Sequence, residues 1–294
     1  MKLLTCLLDG VEQVAVLVEN DVVPVRELGY SFHTMNELIR GTDRQSLREM
    51  ESRSHQAPAS ARRPLKSVQL TAPIPHPVRD VVCMGLNYKA HADEMADALK
   101  EQRTERVWPL FFGKAVDRCR GTGEEIPLHE DFVSTMDYEC ELAVILGKDA
   151  YHVSKEEAPS YIFGYCILND VTARELSRHK QNYFMKSLDG TCPMGPWIVT
   201  ADEIAFPPQL RIRLWVNGEQ RQNGNTRDMI FDAADIISEL SRGVTLPAGT
   251  IFATGSPTGI GFGMNPPVFL QDGDEVTCEI EGLGVLTNRV KAGL

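Results

Sequence analysis

Basic residues are scarce in this chain of 294 residues. Lysine and arginine number 30 against 41 aspartates and glutamates, a formal charge of −11. Such a balance builds no face for a phosphate backbone, which excludes a nucleic-acid partner. Long apolar runs are missing too. No stretch approaches the ~20 residues that cross a bilayer, so no membrane partner is expected. The opening run Leu3–Leu8 ends at Asp9; it is too short for a secretory signal and has no cleavage pattern. Paired cysteines are absent: Cys6, Cys83, Cys119, Cys140, Cys166, Cys192 and Cys278 are odd in number and widely spaced, with no CxxC. This pattern points to reduced, mostly buried thiols and a cytoplasmic location. No repeat of fixed period and no GxxxxGK[ST] phosphate loop occurs, which argues against a nucleotide site.

What is present fits a folded chain. Hydrophobic residues make up 43% and charged residues 24%, which excludes disorder as the main state. Residues 1–65 read as a small α+β domain and linker. Leu3–Leu8, Val14–Val18 and Val22–Val25 suggest a small sheet. Thr34 offers an N-cap with Glu37 three residues on, and Gly41 is a stop. The polar stretch 42–65 reads as the linker. Residues 66–294 read as the larger domain, with short strands broken by proline and glycine. Strands are expected at Asp80–Gly85, Leu142–Leu146 and Ile162–Leu168. Capping boxes are expected at Ser154 with Glu157 and at Thr172 with Glu175. Leu210–Val216 alternates into the hairpin pair Asn217-Gly218. Met229 to Leu240 carries a helical stripe, and Val276, Cys278 and Ile280 alternate in a last strand. The class is α+β, with large mixed sheets and interspersed helices.

The informative segment is Asp137-Tyr138-Glu139-Cys140-Glu141, which leads into an apolar strand. On a strand, Glu139 and Glu141 share one face. Two carboxylates at the mouth of a buried strand repel each other unless a positive charge intervenes. With Asp170, which ends another apolar run, they suit a hard divalent cation: Mg²⁺, Mn²⁺ or Ca²⁺. Spacing alone equally allows a solvated strand face and an ordinary turn aspartate.

The runs Asp137-Tyr138-Glu139-Cys140-Glu141-Leu142-Ala143 and Asn169-Asp170-Val171-Thr172-Ala173-Arg174 resemble the metal signature of the fumarylacetoacetate hydrolase superfamily. Further matches keep chain order: Gly85 to His91, Phe111 to Lys114, Lys186 to Asp189 with Cys192-Pro193, Arg221 to Thr226, and Thr254 to Gly261. The resemblance covers roughly residues 66–294. It implies a β-rich roll, a homodimer, and Glu139, Glu141 and Asp170 as ligands of Mg²⁺ or Mn²⁺.

His91 and Glu94 stand at i and i+3 of an expected helix, where their side chains can meet. The resemblance makes them a water-activating dyad on a lid, with the charged tail from Asp97 to Arg106 as its continuation. It places Lys186 near the metal, facing an enolate or substrate carboxylate, and Lys114 in a similar role. The glycine-rich loop 254–261 reads as one that brings backbone N–H groups near an anion, and the resemblance adds Ser256 and Thr258 as substrate contacts. Three positions depart from the family pattern: Ser177 replaces a substrate-touching glutamine, Ser256 a threonine, and Ala115 a proline. These leave the substrate open within the class of small anionic dicarbonyl or 2-oxo acids. The leading expectation is hydrolysis of a carbon–carbon bond in an acylpyruvate or fumarylpyruvate type of acid, with His91 activating water. The second is a decarboxylase or isomerase of oxaloacetate or another 2-oxo acid on the same site. The third is a metal-dependent binding protein without turnover.

Overall fold

In the computed structural model, which describes residues 1–103, 105, 107–179 and 181–293, the first strands form a meander. β1 (Lys2–Leu8), β2 (Val11–Val18) and β3 (Asp21–Pro24) pair antiparallel. Helix α1 (Met35–Gly41) starts at Thr34, whose side chain accepts the Glu37 N–H at 3.2 Å. The stretch expected as linker departs from that reading. Its first half is helix α2 (Arg44–His55), nucleated by a reciprocal capping box between Asp43 and Ser46. Polar residues hide this helix from an apolar-periodicity reading, because only Met50 and Ser54 bury fully. β4 (Arg63–Pro64) returns to β3, and β5 (Gln69–Thr71) to β1.

The rest of the chain supplies β6 (Val81–Gly85), α3 (Lys89–Leu99), β7 (Leu110–Lys114), β8 (Glu125–Pro127), β9 (Met136–Asp137) and β10 (Cys140–Leu146). Then come β11 (Ile162–Asn169), β12 (Thr172–Ala173), α4 (Asn182–Lys186), β13 (Met194–Thr200), β14 (Arg211–Val216) and β15 (Glu219–Asn225). The last elements are α5 (Ala233–Ser241), β16 (Ile251–Ala253), β17 (Glu275–Ile280) and β18 (Gly284–Lys291). One 11-stranded sheet runs β4-β3-β2-β1-β13-β11-β10-β16-β6-β7, with β5 beside β1. It is mixed, because β16 and β6 are parallel. A five-stranded sheet, β15-β14-β17-β18-β8, packs against it, and β12 pairs β9 in a short ribbon. The α+β class with mixed sheets is the one expected. The N-terminal strands extend the same large sheet: β1 pairs β13, and the Met1 ammonium donates to Thr200 Oγ1 at 2.8 Å.

β10 is the axis of the core. All seven of its residues are buried, as happens when a strand is covered on both faces. Leu142, Val144 and Leu146 pack toward Ile212, Leu214 and Cys278 of the smaller sheet. Ala143 and Ile145 face the cluster containing Leu38 and Ile39 of α1. The period of two therefore sends Glu139 and Glu141, at the strand's entrance, to the Ala143 side.

Several boundaries differ from the sequence reading. α5 begins at Ala233 rather than Met229, because Asp232 and Asp235 form the cap. β17 is followed by β18, so it is not the last strand. Thr172 caps no helix: it lies in β12, and its hydroxyl donates to the Asp170 carbonyl at 2.8 Å. Glu175 accepts instead from the Ser134 N–H and hydroxyl, both at 2.7 Å. α3 ends at Leu99 with Lys100 in the left-handed region; Thr104 and Arg106, in the expected lid tail, lie outside the described residues. The seven cysteines are free and buried. No helix among the described residues is long and apolar enough to cross a membrane.

Gly164 of β11 marks the tightest approach between the strands that carry the site. A Cβ there would sit 2.4 Å from the Val199 carbonyl oxygen and 2.7 Å from Ile198 Cγ2. Gly164→Ala is expected to destabilise the fold by about 2–3 kcal/mol, read as a lower urea midpoint with an unchanged slope. An unchanged midpoint would show that β13 yields more easily than this contact implies.

Candidate active site

Four carboxylates gather where β9, β10 and β11 open. Asp137, Glu139 and Glu141 come from one strand path at every second residue, and Asp170 follows β11. One oxygen each of Glu139, Glu141 and Asp170 lies within 4.8 Å of the others, and all three residues are buried. Three cations answer them. Lys186 Nζ lies 2.5 Å from Glu139 Oε2 and 2.6 Å from Asp170 Oδ2. Lys114 Nζ lies 2.8 Å from Asp170 Oδ1 but out of line for a hydrogen bond, so that oxygen has an ion pair and no donor. Arg174 forks between Asp137 Oδ2 at 2.9 Å and Glu139 Oε1 at 2.5 Å.

These contacts split the carboxylates electrostatically. Burial pushes Glu139 up, but Lys186, Arg174 and His91 outweigh it and hold the group well below the usual carboxylate range. Glu141 has no such partner. Burial, then Asp170 and Glu139, push it well above its usual value; Lys186 and the Gly255 N–H offset this only in part. Burial disfavours the charge on Lys186, yet Asp170 and Glu139 raise its pKa. Four buried carboxylates against three cations, with one oxygen of Asp170 lacking a donor, fit an all-oxygen divalent cation.

The dyad residues also meet. His91 Nδ1 is 2.9 Å from Glu94 Oε2, and His91 is 5% exposed. This bond leaves Nε2 as the ring nitrogen available for chemistry. Lys114 is fully buried: its Nζ donates to the Val171 carbonyl at 3.0 Å and also bonds the Lys186 carbonyl. The glycine-rich loop brings backbone N–H groups to anions, as read from the sequence. Its N–H groups bind the protein's own anions: Gly255 to Glu141 at 2.8 Å, and Gly259 to Glu94 at 2.9 Å. Ser256 is buried, with its hydroxyl 2.6 Å from Gln222 Nε2. Thr258 is exposed on a separate cleft with Tyr88 and Asn223, and Ser177 is exposed on the turn after Arg174. None of these three joins the carboxylate cluster through a side-chain hydrogen bond. The sequence reading gives Asp137 and Arg174 no role. Strand parity could have found Asp137, which shares the face of Glu139 and Glu141.

Comparison with known proteins shows the family. The family model for the fumarylacetoacetate hydrolase C-terminal region matches residues 80–291. The chain belongs to the fumarylacetoacetate hydrolase family. It is 45% identical over 227 residues to the oxaloacetate tautomerase YisK of Bacillus subtilis, covering 77% of this chain and 74% of that one. The fumarylacetoacetate hydrolase structure from Exiguobacterium antarcticum superposes with a TM-score of 0.84 at 39% identity, covering 99% of each chain. The maleylpyruvate hydrolase of Sphingobium sp. SYK-6, solved with manganese(II) and pyruvate, superposes at 0.80 and 31% identity over all of both chains.

Glu141 gives a signed pH prediction. Its folded pKa lies well above the ordinary glutamate value of about 4.3, so the metal-free fold takes up a proton there. The cost is absent below that value and grows as pH rises toward the folded pKa. Glu141→Gln is expected to stabilise the metal-free protein at neutral pH by about 1 kcal/mol. Calorimetric Mn²⁺ binding should be lost at the same time. A lower melting temperature in Glu141→Gln would contradict this account.

Proposed function

We propose that this chain is a divalent-ion-dependent enzyme that interconverts the keto and enol forms of a small 2-oxo dicarboxylic acid of the oxaloacetate type. The observation that carries the reading is the His91–Glu94 pair, buried beside the carboxylate–lysine cluster. The 45% identity to an oxaloacetate tautomerase favours this reaction among those that share an enolate.

Glu139, Glu141 and Asp170 hold the ion, Mg²⁺ or Mn²⁺, which when bound supplies Lewis-acid polarisation of the 2-oxo group. His91 Nε2 takes the proton from the carbon beside the ketone; the C–H electron pair forms the carbon–carbon double bond and the carbonyl π pair moves to the keto oxygen. The same proton then passes to that oxygen, giving the enol and returning His91 to neutral. Glu94 orients the ring through Nδ1 and stabilises the imidazolium between the two transfers. Lys186 offsets the charge that builds on the enolate oxygen. Lys114 braces the Lys186 carbonyl and Asp170 from below.

Hydrolysis of an acylpyruvate is the second reading, favoured by the likeness to a maleylpyruvate hydrolase with manganese and pyruvate bound. It differs in that His91 takes its proton from water. A homodimer is proposed for either reaction.

The two separate in one experiment. Wild-type protein with Mg²⁺ or Mn²⁺ is given enol-oxaloacetate, acetylpyruvate and maleylpyruvate, and products are followed by NMR. Ketonisation of oxaloacetate is expected to be the fastest reaction. It should fall at least about 100-fold in His91→Ala and be lost on chelation. Faster cleavage of an acylpyruvate would transfer the assignment to hydrolysis, and no turnover of any of the three would sink both.

A further inference from the structure

The turn 259–263 grips both halves of the site. At one end, the Gly259 N–H donates to Glu94 Oε1 at 2.9 Å, while the other oxygen of Glu94 holds His91. At the other end, the Gly261 and Phe262 N–H groups donate to the two oxygens of Asp137, at 2.8 and 3.0 Å. Asp137 is fully buried; its remaining partners are the N–H of its neighbour Tyr138, 2.9 Å from Oδ1, and Arg174, which reaches on to Glu139. The turn packs directly on the dyad: a Cβ on Gly263 would lie 2.5 Å from Glu94 Cγ.

We infer that Asp137 is a positioning residue. It fixes α3, and with it His91, relative to the metal-ligand strand by anchoring the 259–263 turn. The chemistry of its partners requires an anion. Three backbone N–H groups and a guanidinium are all donors, and only an ionised carboxylate accepts from all four without presenting a hydrogen of its own. An asparagine there would set an amide hydrogen against one of these donors. Breaking this anchor frees the turn from the ligand strand, and Glu94 then follows the turn rather than the metal site.

The tether has a structural test that does not depend on the substrate; its kinetic arm alone rests on the proposed function. In Asp137→Asn, hydrogen exchange in residues 89–99 is expected to quicken about tenfold. Calorimetric Mn²⁺ affinity should change by less than about threefold, and kcat should fall by more than KM rises. Arg174→Lys keeps the Asp137 bonds to the turn but loses the fork. It should shift Mn²⁺ affinity and leave exchange in 89–99 close to wild type. Unchanged exchange in Asp137→Asn together with altered Mn²⁺ affinity would overturn the inference and leave Asp137 serving the ligand strand alone. Native-state exchange of the wild-type protein guards against a variant that fails to fold. The amides of Gly261 and Phe262 should open together with those of 89–99 as denaturant is added; separate opening would equally overturn it. Absence of turnover on every 2-oxo acid, with the exchange result as expected, would refute the proposed reaction and keep the tether.

Discussion

The structure turns on the burial of charge at the end of β10. Four carboxylates and three cations occupy a region where several of the side chains have no solvent contact. Ionised groups taken out of water incur several kcal/mol each, repaid only when every lone pair and proton finds a partner. Glu139 is satisfied on both oxygens, by Arg174 and Lys186. Glu141 has one backbone donor and two like-charged neighbours. A set so arranged is short of one positive centre, which a divalent ion would supply. With that ion the local charge would change sign, which suits the dianionic substrate proposed.

The scaffold answers this charge with backbone dipoles as well as side chains. The loop 254–263 places three successive sets of N–H groups on three carboxylates of the protein. That geometry needs glycine where the chain is in the left-handed region: Gly255 has φ +95 and Gly259 φ +106. A Cβ on Gly259 would sit 2.0 Å from the Arg221 carbonyl oxygen. The loop is therefore pinned against β15 on one side and drawn to the carboxylates on the other. The anions its amides meet are the protein's own: Glu141, Glu94 and Asp137.

Legibility followed period and spacing. The alternation around Glu139 and Glu141 places both on one face, and the i, i+3 spacing of His91 and Glu94 lets them meet, as the structure shows. The strands with strong apolar runs were equally plain. Polar elements were not: α2 carries its signal in Asp43 and Ser46 rather than in a hydrophobic stripe. Thr172 with Glu175 matched a capping box, but strand pairing and the Asp170 carbonyl took the threonine instead. Long-range partnerships were the least legible. The Arg174 fork spans 35 and 37 residues, and the Asp137 bonds to the turn span 124 and 125. No local pattern encodes a contact closed by the fold itself.

The chemistry of the family narrows what distinguishes one member from another. Tautomerisation and carbon–carbon hydrolysis both pass through a stabilised enolate, so in the roles proposed the carboxylates and Lys186 would serve either reaction alike. The difference falls on what His91 Nε2 meets. A base that moves a proton between carbon and oxygen of one substrate works best with water excluded, since a trapped water competes for the proton. A hydrolase must admit one water beside the same nitrogen. Under the proposed function, the tether of α3 to the ligand strand would set that clearance, because Glu94 holds the ring and the turn holds Glu94. Selection between the reactions can therefore act through the fit of α3 and the 259–263 turn while every charged group of the cluster is retained. The pocket positions at Ser177, Ser256 and Thr258 can vary without disturbing the buried charges, since none of them hydrogen-bonds the cluster through its side chain.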